Sequence, residues 1–193
     1  MIRSYILNHL KVPFFVVPGN RDSRAAMRKI FFPKSYSWEL KDTPMLYEIN
    51  QFKVRLIGLD SLSSDDGLGS FCKDRIAQLD RMLKEKPNLP TAIFMHHPPI
   101  PIELFGTIRH EFSDKASALE LLSLINLHKQ IFRVFCGHSH RYYRKIYQET
   151  EFTTVPSVAT DLRAGEYPKT MSERPIYQVH RYSSPHCFTS ETR

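Results

Sequence analysis

Three apolar runs in this sequence each lead directly into a polar cluster, and this repeated pattern constrains the fold more than any other feature. The runs and their following clusters are Val12–Val17 with Gly19–Asp22, Thr91–Met95 with His96–Pro99, and Ile131–Phe135 with Cys136–His140. Short apolar runs bounded by turn residues are typical of buried strands. Because the carboxyl ends of parallel strands meet at one edge of an open α/β sheet, the pattern predicts that the clusters converge on a ligand site there.

The third cluster contains two histidines, His138 and His140. Side chains two positions apart share a face of an extended chain, so both imidazoles can approach one metal ion. Gly137 has no side chain to crowd that approach. A His-x-His pair is also common in loops that bind no metal, and this pair alone leaves both interpretations open.

The three clusters together resemble, in order and approximate spacing, the calcineurin-like metallophosphoesterases, and most closely their class III cyclic-nucleotide phosphodiesterase branch. The stretch Ile57–Ser61, Gly69 and a helix predicted at about 71–85 are similar to that branch's connection between two of the motifs. The resemblance implies an α/β fold, the four-layer metallophosphoesterase sandwich of two mixed β-sheets flanked by helices. We expect a single metallophosphoesterase domain over residues 1–193, N-terminally incomplete and lacking the first strands.

The resemblance also implies metal ligands. Asn20, His96 and His138 would bind one divalent ion and His140 another, with Fe, Mn or Zn as the expected cofactors and two ions per site in the family. Members begin with Asp-x-His and then Gly-Asp, which supply further ligands and a carboxylate between the ions, and residues 1–193 contain neither motif.

Two ions ~3.5–4 Å apart would repel each other without that carboxylate, so the sequence supports one metal better than two. The second site is therefore expected to be incomplete, with His140 either lacking its partners or joining the first ion as a fourth ligand after rearrangement. We expect the two motifs to lie upstream of an internal methionine in a longer gene product, or the gene to be decayed.

Arg21 and His97 are the candidate catalytic residues. Arg21 stands where the family commonly has histidine; since a guanidinium stays protonated, it can hold phosphate oxygens but cannot act as a general acid. The alternative is a surface pair with Asp22. The resemblance implies that His97 either supports the metal ligands from behind or faces the substrate. The alternative is a strand-end ring bonded to a backbone carbonyl, and Asn20 would otherwise be a turn residue.

The formal net charge of +7 favours anionic partners. Two basic runs, Arg24–Lys29 and Arg141–Lys145, lie beside the clusters, so Arg24 and Arg141 are candidates for contact with a substrate phosphate. Such short runs are more often solvated helix or hairpin faces. A nucleic-acid partner would rest on this charge and the interleaved aromatic residues alone.

Composition is typical of one hydrophobic core: 41% of the 193 residues are hydrophobic. There is no apolar stretch of about 18 residues and no signal-peptide pattern, so we predict no membrane partner. Cys72, Cys136 and Cys187 are odd in number and widely spaced, which argues against a disulfide framework and for a reducing, cytoplasmic compartment.

Alternation and helical spacing predict the remaining scaffold. Paired strands are expected over Met45–Asn50 and Phe52–Asp60, helices around Ile76–Leu83 and after Ser113 or Asp114, and closing strands over 142–148, 151–156 and 175–182. The stretch from Pro98 to Phe112 is expected to be a loop.

The chemistry that the resemblance implies is hydrolysis of a small-molecule phosphodiester by metal-activated water, with 3′,5′-cyclic nucleotides as the first substrate candidate. One alternative is a catalytically inactive interaction domain that binds a metal or a phosphate. A second is a nucleic-acid-binding module or nuclease. Apolar strand edges left by missing first strands would favour pairing with another copy, a homo-oligomer.

Overall fold

The computed structural model describes residues 9–32, 43–63, 66–104, 106–183 and 186–193. The strands are β1 (Leu46–Ile49), β2 (Arg55–Leu59), β3 (Thr91–Met95), β4 (Ile102–Leu104), β5 (Thr107–Arg109), β6 (Ile131–Cys136), β7 (Tyr143–Tyr147), β8 (Thr150–Thr154), β9 (Gln178–Ser183) and β10 (Cys187–Thr192). The helices are α1 (Arg24–Phe31), α2 (Lys73–Glu85), α3 (Lys115–Leu127) and α4 (Lys169–Ser172), with a 3₁₀ turn at Thr160–Leu162.

A six-stranded mixed sheet in the order β1-β2-β3-β6-β8-β7 forms the centre of the fold. The four inner strands β2, β3, β6 and β8 are parallel, while β1 and β7 pair antiparallel at the two edges. The predicted α/β class is confirmed. Because the four inner strands are parallel, their carboxyl ends all lie at the same edge of the sheet. Folds of this kind bind their ligands at that edge.

Helices α2 and α3 cover one face of this sheet and enclose the main hydrophobic core. Leu79 and Leu83 of α2 and Leu121 of α3 are fully buried against the inner strands. Asp114 caps α3, since its carboxylate accepts hydrogen bonds from the backbone N–H groups of Ala116 and Ser117 at 2.9 and 3.1 Å. The predicted paired strands, both helices and the Asp114 cap are confirmed.

The opposite face of the sheet carries the β9–β10 hairpin. At the point where β6 pairs with β3, the register steps from Ile131 to Arg133, so Phe132 is the extra residue of a bulge. Phe132 stacks on Phe188 of the hairpin, with ring centroids 5.6 Å apart. Among the described residues, the hairpin is a two-stranded antiparallel sheet, whereas the resemblance implied a second mixed sheet at this position.

The predicted strand over Val12–Val17 is wrong, because the structure has irregular chain there. Pro13 has no N–H to donate to a ladder, and side chains hold the segment instead. The Tyr47 hydroxyl donates to the Val16 carbonyl at 2.6 Å, and Phe15 packs edge-on against Phe52. The expected loop between Pro98 and Phe112 also differs, since it contains the β4–β5 hairpin.

No helix within the described ranges has the length and apolar character needed to cross a bilayer. All three cysteines are free thiols, and burial raises the pKa of Cys136, which lies inside β6.

Gly69 lies where two segments approach closely, and we expect Gly69→Ala to destabilise the fold by about 1–3 kcal/mol. A Cβ there would lie 2.5 Å from Cδ2 of Phe112 and 2.8 Å from Cβ of His97, both of them buried. Gly58→Ala is the matched control, since the atoms nearest its Cβ would be the tips of the half-buried Phe94 and Tyr47 rings at 2.9 Å. Urea unfolding should place Gly69→Ala below Gly58→Ala in stability; the reverse order would contradict this packing.

Candidate metal centre

Side chains from three separate segments meet at the carboxyl edge of the sheet. Two of these segments are the ends of neighbouring strands: His96 and His97 follow β3, and His138 follows β6 after Gly137. Asn20 lies on the turn before α1. Two hydrogen bonds between Gly19 and Asp22 close this turn: the Asp22 N–H donates to the Gly19 carbonyl at 3.1 Å, and the Gly19 N–H donates to the Asp22 carboxylate at 2.8 Å.

Asn20, His96 and His138 bring potential metal-binding atoms to one point. The Oδ1 of Asn20 lies 3.2 Å from Nε2 of His96, and Nδ1 of His138 also lies 3.2 Å from that nitrogen. The structure therefore brings together the three residues that the sequence predicted as ligands of one metal. An amide oxygen and two imidazole nitrogens form a donor set suited to Zn, Mn or Fe.

Two glycines make room for the central ring. A Cβ at Gly19 would lie 3.1 Å from Cε1 of His96, and a Cβ at Gly137 would lie 3.2 Å from its Nδ1. His138 and His140 both have left-handed backbone, with φ of 63° and 57°. Non-glycine residues rarely adopt this conformation, and where they do they are concentrated at functional sites.

His97 lies close to the same group but has a different environment. One ring nitrogen from each of His96, His97 and His138 lies within 4.8 Å of the other two. However, Nε2 of His97 lies 3.1 Å from the Gly67 carbonyl and Nδ1 lies 3.0 Å from the Ser61 hydroxyl. A carbonyl can only accept, so Nε2 donates and Nδ1 accepts from Ser61. Both ring nitrogens are thus occupied, and the fully buried His97 matches the backbone-bonded alternative better than a ligand or a substrate-facing ring.

The electrostatics of the cluster favour neutral imidazoles. Burial, reinforced by the neighbouring His138 and His140, lowers the pKa of His96 to about 4. Burial and the nearby His96 and His138 rings lower the pKa of His97 to about 3. Since the neutral imidazole is the form that binds metals, the convergent donors of Asn20, His96 and His138 fit a divalent cation at neutral pH.

Glu111 is a residue of this site that sequence reasoning missed. Its carboxylate oxygen Oε2 lies 3.1 Å from Nε2 of His138, and the hydrogen bond from His138 lowers the pKa of the Glu111 carboxyl. No motif marks it, because it follows the short hairpin β4–β5 and reaches His138 only through the tertiary fold. Phe112, the residue after Glu111 in the chain, forms a β-bridge with Gly69, which is distant from it in sequence.

The other predicted site residues lie around this centre. Arg21 is exposed on the turn that carries Asn20. The His140 ring is outside the three-histidine cluster, and its carbonyl accepts hydrogen bonds from the N–H groups of Ser157 and Ala164. Arg141 lines a separate pocket.

Arg24 lies in an environment that does not favour the predicted phosphate contact. Its guanidinium is buried and forms a bidentate pair with Asp60, with Nε–Oδ2 and Nη2–Oδ1 distances of 2.7 and 3.1 Å. It also donates to the Leu62 carbonyl. These contacts connect α1 to the residues that follow β2, close to the candidate metal ligand Asn20.

The fold and the site define a class of protein: an α/β domain whose parallel strands bring histidine side chains to one sheet edge, next to the amide of Asn20. A sequence model of the calcineurin-like phosphoesterase family matches residues 2–142, and the chain belongs to this family.

Among curated relatives, a probable glycerophosphodiester phosphodiesterase, GpdQ, of Arcobacter nitrofigilis is 29% identical over 95% of this chain. The glycerophosphodiester phosphodiesterase GpdQ of Enterobacter lignolyticus is 29% identical over 79% of the chain, and a 3′,5′-cyclic-nucleotide phosphodiesterase of a Nostoc species is 28% identical over 79%. The chain spans 67% of the length of the first relative and 54% of each of the others.

A solved structure shows the same fold. A dimetal phosphatase from Danio rerio superposes with a TM-score of 0.61 at 16% identity, and the match covers 78% of this chain and 62% of that one.

Proposed function

We propose that this protein is a metal-dependent phosphodiester hydrolase in which Asn20, His96 and His138 hold a divalent ion. The observation that carries the proposal is the convergence of their three donor atoms, in which Oδ1 of Asn20 and Nδ1 of His138 each lie 3.2 Å from Nε2 of His96, in a chain of the calcineurin-like phosphoesterase family. A bound divalent ion lowers the pKa of a water ligand and neutralises phosphate charge.

Arg21 is the residue that we propose to contact the phosphate. It is exposed beside Asn20, and its permanent charge can hold phosphate oxygens and stabilise the charge that develops in the transition state. Arg21 cannot release a proton at useful pH, and both ring nitrogens of His97 are bonded within the chain, so we propose water as the proton source for the leaving oxygen. His97, with both ring nitrogens bonded to its own chain, supports the site by packing against His138, with ring centroids 4.5 Å apart.

Two substrate classes are supported by different features. A polar cleft of about 360 Å³ next to Asn20, lined by Ser23 and Ser63 among others, suits the hydroxyl groups of a glycerophosphodiester. An apolar pocket of about 240 Å³ beside Glu111, lined by Phe112 and Leu122, suits the base of a 3′,5′-cyclic nucleotide. The relatives named for both activities are consistent with either substrate. Comparing kcat/KM for glycerophosphocholine and for cyclic AMP chooses between them.

We further propose that residues 1–193 alone hold one ion per chain and turn over slowly. The donors at hand suffice for one ion, and His140 is not within the group that would bind it. A second ion would need the anionic bridge that the two absent motifs supply in the family.

The proposal is tested with metal-stripped protein reloaded with Mn²⁺ or Zn²⁺. We expect about one ion per chain and metal-dependent hydrolysis of bis(p-nitrophenyl) phosphate, since the activating ion is the only source of a strong nucleophile at neutral pH. Arg21→Met should reduce kcat/KM by about 10²-fold or more, a loss typical for one transition-state contact. Arg81→Met, which removes an exposed arginine of α2, is the matched control.

The outcomes separate the alternatives. One ion without turnover would support an inactive metal-binding interaction domain, and no retained ion would overturn the proposal. Nucleic-acid binding that falls steeply with salt, in the absence of turnover of small phosphodiesters, would favour the nucleic-acid-binding alternative.

A further inference from the structure

We propose that Glu111 positions His138 for metal binding by fixing which of its two ring nitrogens carries the hydrogen. This inference rests on the proposed function, because it assigns a role at the same metal centre. Oε2 of Glu111 lies 3.1 Å from Nε2 of His138, and the two side chains are only 11% and 14% exposed. An ionised carboxylate can only accept, so Nε2 of His138 carries the hydrogen.

The other nitrogen of the ring then has the lone pair that a metal needs. In the neutral imidazole with Nε2–H, Nδ1 is the acceptor. It is Nδ1 that faces the convergent donors, at 3.2 Å from Nε2 of His96, whose own ring lies against Asn20. Carboxylates that bond the far nitrogen of a metal-binding histidine set its tautomer and orientation and raise its basicity.

The backbone around Glu111 is fixed well enough for this task. The Glu111 carbonyl accepts from the Gly69 N–H at 2.8 Å, and the Gly69 carbonyl accepts from the Ser113 N–H at 3.0 Å. Between these two bonds, the buried Phe112 ring packs onto Gly69, which has no side chain to displace it. These two bonds fix the backbone of Glu111 and of Ser113 against Gly69, and so place the Glu111 side chain next to His138.

The test uses two variants that leave the proposed metal ligands intact. Glu111→Ala removes the acceptor, and Glu111→Asp keeps the charge but withdraws it by one methylene, about 1.5 Å. In the metal-free protein, ¹⁵N NMR of the histidine rings should show His138 as the Nε2–H tautomer in the wild type and as a mixture in both variants. The affinity for Zn²⁺, measured by competition with a chelating dye, should fall by about 10–100-fold in both. Glu103→Ala and Glu103→Asp, at an exposed position in β4, are the matched controls.

The tautomer measurement needs no metal, so it separates this inference from the function on which it rests. A wild-type chain that binds no zinc would overturn the proposed function, while a shift of tautomer in Glu111→Asp would still establish that Glu111 sets the tautomer of His138. Glu111→Asp changes least and serves as the test should Glu111→Ala fail to fold. An unchanged Nε2–H tautomer together with zinc affinity within twofold of wild type in Glu111→Asp would overturn the inference.

Discussion

Replacing His138 with alanine is expected to lower zinc affinity by more than about 100-fold and to reduce phosphodiester hydrolysis to background. Removing a residue that only orients a metal ligand lowers metal affinity by about 10–100-fold, and removing a direct ligand lowers it further. Without His138, Asn20 and His96 remain of the three proposed ligands, 3.2 Å apart, and two protein donors hold a divalent ion weakly. Chelator competition and turnover of bis(p-nitrophenyl) phosphate measure the two effects.

His186→Ala is the matched control for this experiment. His186 is exposed in the turn between β9 and β10, where its ring packs against Phe132 on the other face of the sheet. It should bind zinc and turn over substrate as the wild type does. Equal losses in both variants would show that histidine removal acts through the fold, and unchanged affinity in His138→Ala would show that the ion binds elsewhere.

Asp60→Asn is expected to destabilise the protein by about 3–5 kcal/mol, the cost of removing one partner of a buried ion pair. Asp60 is fully buried, and its carboxylate accepts from Arg24 and from the N–H groups of Met45 and Leu62, at 3.1 and 3.0 Å. An asparagine keeps the shape but leaves the buried guanidinium of Arg24 without a counterion. Urea unfolding monitored by circular dichroism gives the loss of stability.

Lys84→Met is the control, because it breaks an exposed pair with Asp80 whose loss should cost less than about 1 kcal/mol. Arg24→Met should also destabilise strongly, and the double variant should cost less than the sum of the two because the residues form one pair. If Arg24 instead serves the substrate phosphate, Arg24→Met would raise KM and leave the unfolding free energy unchanged.

The parts of the fold that followed from sequence are those dominated by burial. Thr91–Met95 and the run from Ile131 are strands enclosed on both faces, and such strands are nearly continuous apolar runs that a sequence shows directly. The meeting of His96 and His138 at one edge followed from parallel pairing, which places both strand ends side by side. The ordered set of motifs indicated the family to which the chain belongs.

The parts that did not follow depend on tertiary contacts. The run Val12–Val17 is apolar enough for a strand, but its contacts are made by side chains such as Tyr47 rather than by a backbone ladder. The basic run that begins at Arg24 predicted contact with a substrate phosphate or with solvent, and only the fold reveals the buried carboxylate partner of Arg24. Glu111 stands in no motif, and its contact with His138 arises only in the fold, where its backbone carbonyl accepts a hydrogen bond from the Gly69 N–H.

X-ray absorption at the zinc edge of the zinc-loaded protein shows whether Asn20, His96 and His138 share one divalent ion. We expect two imidazole ligands and oxygen ligands per zinc in the wild type, and one imidazole in any zinc that His138→Ala retains. The same imidazole count in the wild type and in His138→Ala, or a wild-type protein that loses its zinc on desalting, would contradict the shared site.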